Sequence, residues 1–128
     1  MTNQVRHPFR TAVEGRDIDT MVALLSPDVH LYSPVAFRPF IGHEQVRELF
    51  THLLEVFEDF RYVDELAGDS SHALIFRAHV GDVQIQGLDH MVINDDGLVT
   101  EFTVMVRPLS AALRLAETMA PRVAHLKG

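Results

Sequence analysis

The chain has 128 residues with a hydrophobic content of 47%, enough for one domain with a real core and too few for two. Its formal charge of −7, from 18 acidic against 11 basic residues and with no Lys/Arg cluster to offset it locally, argues against a phosphate-backbone partner, so no nucleic acid is expected. The absence of Cys excludes a disulfide framework and thiol chemistry and fits a cytoplasmic location; no apolar run reaches membrane-spanning length and residues 1–10 lack a signal-peptide core, so no membrane partner is expected.

Residues 5–14 carry Phe9, Ala12 and Val13 at helical spacing, which predicts a first helix closed by Gly15. Asp17 is a good N-cap for a short second helix, with Ile18, Met21, Val22, Leu24 and Leu25 inward and Pro27 ending it. A strand follows over 28–33, in which Val29, Leu31 and Ser33 alternate with His30 and Tyr32. Residues 34–41 hold Val35, Phe37, Phe40 and Ile41 around two prolines, too apolar for an ordinary exposed loop. They predict a segment that lines or lids an apolar space. Gly42 opens a third helix of about four turns by the usual rise per residue. Its Val46, Leu49, Phe50, Leu53, Leu54 and Phe57 form one broad apolar stripe.

Strands over 60–66, 73–80, 83–93 and 98–107, separated by turn residues, predict an antiparallel meander. Leu74, Phe76, Ala78 and Val80 share one face of the second strand, and Phe102, Val104 and Val106 one face of the last. After Pro108, Ser110 is placed to cap a last helix with Leu113, Ala116 and Met119 inward, limited by Pro121. This order predicts an α+β domain: a curved antiparallel sheet wrapped around a long helix, with N-terminal helices, forming a cone with an apolar cavity.

The chemistry concentrates in residues 83–93. Val83, Ile85, Met91 and Ile93 share one strand face with Gly87 and Asp89, while Gln84, Gln86 and His90 take the other. An ionised carboxylate on an apolar face is expensive to desolvate, so Asp89 must be hydrogen-bonded, paired, protonated or beside a wet cavity. It is the candidate catalytic residue, a carboxyl of raised pKa acting as hydrogen-bond donor or proton shuttle to a carbonyl ligand; the alternative is a structural acid tied to a neighbouring group. Gly87 removes a side chain where a ligand or another backbone can come close. Candidate ligand-binding residues are Phe9, Val13, Phe37, Phe40, Leu49, Phe50, Phe76, Met91 and Phe102 as an apolar wall, with Ser33 either bonding a ligand or serving the turn before Pro34. Arg77, His79, His90, Glu101 and Arg107 fall on the opposite sheet face, where another subunit can meet it. His43, Glu44 and His52 lack the HExxH spacing and the 94–96 turn is too short for a calcium loop, so neither metal nor other cofactor is expected.

The order of elements, together with Gly15-Arg16-Asp17-Ile18-Asp19, Ala23-Leu24-Leu25-Ser26-Pro27-Asp28, Ser33-Pro34, the Gly42 helix start and Leu88-Asp89-His90-Met91, resembles the nuclear transport factor 2-like superfamily and its SnoaL-like polyketide cyclase and ketosteroid isomerase branch. The resemblance covers nearly the whole chain, residues 1–128 as one domain, and implies a cystatin-like fold. In ketosteroid isomerases an Asp base moves a proton while a Tyr and a protonated Asp hold the oxyanion. Carried over by position, the resemblance puts the protonated acid at Asp89, the base at Ser33, the oxyanion tyrosine at Phe9, and further hydroxyl-bearing positions at Leu25 and Phe50. Serine abstracts no carbon-bound proton without a base of its own, so steroid isomerisation is not expected. The resulting expectation is a small hydrophobic-ligand pocket protein whose enzymatic form is cofactor-free isomerase- or cyclase-type acid/base chemistry on a carbonyl compound. Its alternative is a non-catalytic binding or interaction module, and the resemblance implies a homodimer through the sheet face in either case.

Overall fold

The first described residue sets the first helix. In the computed structural model, which describes residues 7–126, His7 Nδ1 accepts the Phe9 N–H at 3.0 Å and Pro8 supplies a preset φ where no donor is needed. Helix α1 (Pro8–Glu14) follows. The expected start at residues 5–6 lies outside the described residues. Arg16 at φ 54° turns the chain, and Asp17 caps α2 (Ile18–Ala23) by accepting the Thr20 N–H at 3.1 Å.

Strand β1 (Leu25–Tyr32) begins earlier than the sequence pattern implies, so α2 stops at Ala23 rather than at Pro27. The register of β1 against its parallel neighbour slips between Leu25 and His30, and Pro27 sits in that gap, where no ladder donor is required. After β2 (Phe40–Ile41), helix α3 (Gly42–Val56) starts with Gly42 at φ 89° and with no side-chain cap. A missing cap costs about 1 kcal/mol. Buried Val46, Leu49, Phe50 and Val56 each contribute roughly 1.5–3 kcal/mol, so burial decides that helix.

Strands β3 (Glu58–Ala67), β4 (Ser71–Val80), β5 (Val83–Ile93) and β6 (Val99–Arg107) form the expected antiparallel meander. β1 joins β6 in parallel and β2 joins β1 antiparallel, giving a curved, unclosed mixed sheet of order β2-β1-β6-β5-β4-β3. The period of two holds on β4 and β5: Leu74, Phe76, Ala78 and Val80, then Ile85, Gly87, Asp89 and Met91, are buried in turn. β3 breaks the rule. Tyr62 faces Phe76 and Glu65 faces Leu74, so one extra residue is accommodated between them and both Tyr62 and Glu65 turn inward although three apart.

Helix α4 (Leu109–Val123) corrects three expectations. Ser110 does not cap it, because Pro108 occupies the N-cap position and no side chain bonds there. Its inward stripe is Ala111, Leu115 and Met119, one residue per turn, which leaves Leu113 exposed. The helix runs past Pro121 by two residues, the proline forfeiting a single bond in the last turn. Phe9 and Val13 of α1, Val46, Leu49 and Phe50 of α3 and Leu115 and Met119 of α4 share one core with the inner sheet face. Among the described residues no helix is long and apolar enough to cross a membrane.

Candidate functional site

Helices and concave sheet do not meet everywhere. Between them lies a cavity of about 550 Å³, within the range that small-molecule sites occupy. Its mouth is marked by exposed lining residues, Val35, Ala36 and Arg38 on the loop before β2 and Ala120 and Ala124 at the end of α4. Two ring clusters wall it. Phe9, Phe50 and Phe102 form a triangle with centroids 5.1–5.8 Å apart, which joins α1, α3 and β6. Phe60 stacks on Phe76 at 4.8 Å, with Phe57 and Tyr62 edge-on to Phe76.

Among the described residues, four polar ones stand in this apolar lining: Ser33, Arg38, Tyr62 and Asp89. Asp89 is 6% exposed. Its Oδ2 accepts the Tyr62 hydroxyl at 2.8 Å. Burial pushes the Asp89 carboxyl up to about 7, against the smaller downward pull of the Tyr62 bond. Burial, and then the adjacent Asp89, push the Tyr62 phenol well above its ordinary value, so it remains a donor. The pair therefore offers a proton-donating phenol beside a carboxyl that changes charge near neutral pH.

Ser33 Oγ accepts the Ala36 N–H at 3.1 Å and the Val35 N–H at 3.4 Å, so the hydroxyl serves the turn before β2 while the residue still lines the mouth. Phe9, Val13, Phe40, Leu49, Phe50, Phe76 and Phe102 all line the cavity with Asp89. Phe37 and Met91 do not. Phe37 is 100% exposed at the tip of a turn whose neighbours on both sides face the cavity, so its ring is thrown outward. Met91 shares Asp89's face but lies one pleat further along, fully buried opposite Phe102.

Sequence reasoning missed Tyr62, Phe60, Arg38 and the α4 residues Leu115, Met119 and Val123, all of which line the cavity. The signal for Tyr62 was its alternation with Phe60. The bulge just beyond hides which face that alternation serves. Leu25 and Phe50, where the resemblance put hydroxyl-bearing positions, are apolar core here, and the hydroxyl at the acid comes from β3 instead.

Behind the pair, Glu65 is the hub of a second polar cluster. It accepts the His7 N–H at 2.7 Å, Arg10 Nη1 at 3.0 Å and a contact from His72 Nε2 at 2.6 Å, with its side chain 6% exposed. Burial pushes its carboxyl up, but the bonds from His7, His72 and Arg10 outweigh it and hold the group below its ordinary value. Arg10 also donates to the Tyr62 carbonyl at 3.4 Å, so this cluster ties α1 to the strand that carries the phenol.

Residues 5–102 match the family model of the SnoaL-like domain. A steroid delta-isomerase from Pseudomonas aeruginosa is 37% identical and superposes with a TM-score of 0.86, covering 92% of this chain and 88% of that one. A protein of cystatin-like fold from Silicibacter pomeroyi, itself uncharacterised, is 30% identical with a TM-score of 0.87 over 94% of this chain and 89% of that one. A SnoaL-like protein of unknown function from Burkholderia thailandensis shares the fold at 18% identity, with a TM-score of 0.64 over 82% of this chain and 100% of that one. Comparison with functionally curated proteins gives no significant match.

Proposed function

Because the chain belongs to the SnoaL-like domain family, within a fold shared with ketosteroid isomerase-like proteins, we propose that it is a small hydrophobic-ligand pocket protein in which Asp89 performs cofactor-free proton transfer on an apolar carbonyl compound. One observation carries this reading: a buried carboxyl that titrates near neutral pH, held by a phenol, at the wall of a largely apolar cavity. A base of pKa close to the working pH is suited both to removing a proton and to returning one. Ionised Asp89 takes a proton from the carbon beside the carbonyl. The electron pair moves onto the carbonyl oxygen as an enolate, the protonated acid exchanges its proton with water through the cavity mouth, and it then gives a proton back at carbon, so no other reactant is consumed. Tyr62 fixes Oδ2 and orients the carboxyl. Affinity comes from the aromatic walls, at roughly 25 cal/mol per Å² of apolar surface buried.

Ser33 stands where the resemblance puts the isomerase base, and its Oγ serves the turn, so this reading does not include conversion of a steroid. The decisive experiment is deuterium uptake. Incubation with 2-tetralone, an apolar enolisable ketone, in heavy water should give α-deuteration above the buffer rate, and Asp89→Asn should return it to that rate. Uptake at the buffer rate with the native protein overturns the acid/base assignment.

A specific observation also favours the second reading, a homodimer through the outer sheet face. Ile75, Leu88 and Met105 stand in register across β4, β5 and β6 as an apolar row, and Met105 is 58% exposed. Beside it runs the polar row Arg77, Gln86 and Arg107, in which Arg107 donates to Gln86 at 3.0 Å. Such a row supports an interface between two copies, with each cavity left free.

A further inference from the structure

Gly87 lies two residues before Asp89 on the cavity-facing side of β5, directly across the ladder from Phe76. A β-carbon at position 87 would overlap three ring atoms of Phe76, closer than any real contact permits. The ring therefore lies down over the bare glycine backbone, a cross-strand arrangement available only where one partner has no side chain. Any other residue at 87 would force the ring to stand up from the sheet, and the space it would enter is the cavity.

Phe76 is also the base of a stack. Phe60 lies on it at 4.8 Å, Phe57 meets it edge-on at 5.5 Å and Tyr62 at 6.4 Å. The rings of Phe57, Phe60 and Tyr62 line the cavity as Phe76 does. The height of the Phe76 ring thus fixes the position of the wall beside the Tyr62–Asp89 bond.

We propose that Gly87 and Phe76 together are the size-selecting device of the cavity: the glycine lets the ring lie flat, and the flat ring opens the space beside Asp89 to apolar carbonyl compounds with a body larger than a single ring. The inference rests on the ligand-pocket reading and adds to it which residues set the depth of the pocket. The ligand class follows from the lining, an apolar body with one carbonyl, because Asp89 and Tyr62 are the polar groups at the inner wall and the stack around them is aromatic.

The test uses two probes. Prodan, a naphthalene ketone, reports binding by its fluorescence, and 4-aminoacetophenone is its one-ring counterpart, followed by calorimetry. The native protein should bind both. Gly87→Ala should weaken Prodan by roughly tenfold or more while one-ring binding stays within about threefold, since size discrimination in an apolar pocket is of this order. Adding Phe76→Leu to that variant should restore Prodan. Equal loss of both probes, or unchanged Prodan binding in Gly87→Ala, overturns the proposal while leaving the pocket itself standing. Failure of the native protein to bind either probe overturns the pocket reading and this inference with it. Should Gly87→Ala not fold, Phe76→Leu alone decides: with the ring gone, a three-ring ketone such as 2-acetylanthracene should gain affinity by roughly tenfold relative to native protein. Absence of that gain overturns the proposal.

Discussion

The Tyr62 hydroxyl reaches across β4 to Asp89 Oδ2 at 2.8 Å, joining β3 to β5 from the inner face of the sheet. Burial raises both groups most, and each partner then adjusts the other: Asp89 pushes the phenol further up and Tyr62 pulls the carboxyl down.

Replacing Tyr62 by Phe separates the two pulls on Asp89. Burial raises that carboxyl and the phenol lowers it, so Tyr62→Phe should move its midpoint above about 7 in carboxyl-resolved NMR titration. The loss of one buried hydrogen bond should lower stability by about 1–3 kcal/mol. A midpoint that falls would show that the phenol does not act as a donor to the carboxyl.

Stability should fall as pH rises through the window of Asp89. The folded carboxyl titrates at about 7 against an ordinary value of 3.8. Its contribution is fully present below the unfolded value and is lost as pH rises through the folded one, because the unfolded chain releases the proton first. At roughly 1.4 kcal/mol per unit, the difference amounts to roughly 4 kcal/mol at most. Asp89→Asn should remove this slope and be the more stable form at about pH 8, as urea unfolding at several pH values would show.

Glu65 should have the opposite sign. Its carboxyl is held low in the folded state, so its contribution is present above the ordinary carboxylate value and lost as pH falls through the folded one. Glu65→Gln should cost about 1–3 kcal/mol near neutral pH and flatten the acid limb of the stability profile. It should also loosen α1 from β3, seen as faster amide exchange at Phe9 and Arg10, since His7, Arg10 and His72 all bond to this one side chain.

The apolar row on the outer face gives a prediction about assembly. Sedimentation should show a dimer for the native protein, and Met105→Glu should give a monomer, because a charge desolvated against a second apolar row is costly. A native monomer at micromolar concentration would remove the sheet face as an interface between copies.

What was readable in the sequence followed from its periods. Asp89 could be placed on an apolar face because β5 alternates regularly from Ile85 to Met91, and Phe9, Leu49, Phe50 and Phe102 because their own helix or strand stripes are regular. β3 was not readable in this way. The residue inserted after Tyr62 reverses the alternation, and Glu65 looks like a surface acid until the pairing with Leu74 turns it inward. Likewise Phe37 looked like part of the wall from composition alone, and Met91 from strand parity, whereas the turn and the distance along the strand remove both.

The sequence by itself determined the α+β order, the apolar face on which an acid must be accommodated, and a glycine beside that acid, because each follows from contacts within one element or one turn. Only the tertiary structure decided that the acid's partner is Tyr62 and that the space above Gly87 is taken by Phe76. Both are relations between strands. Their geometry depends on ladder register and on a bulge, which no single segment encodes.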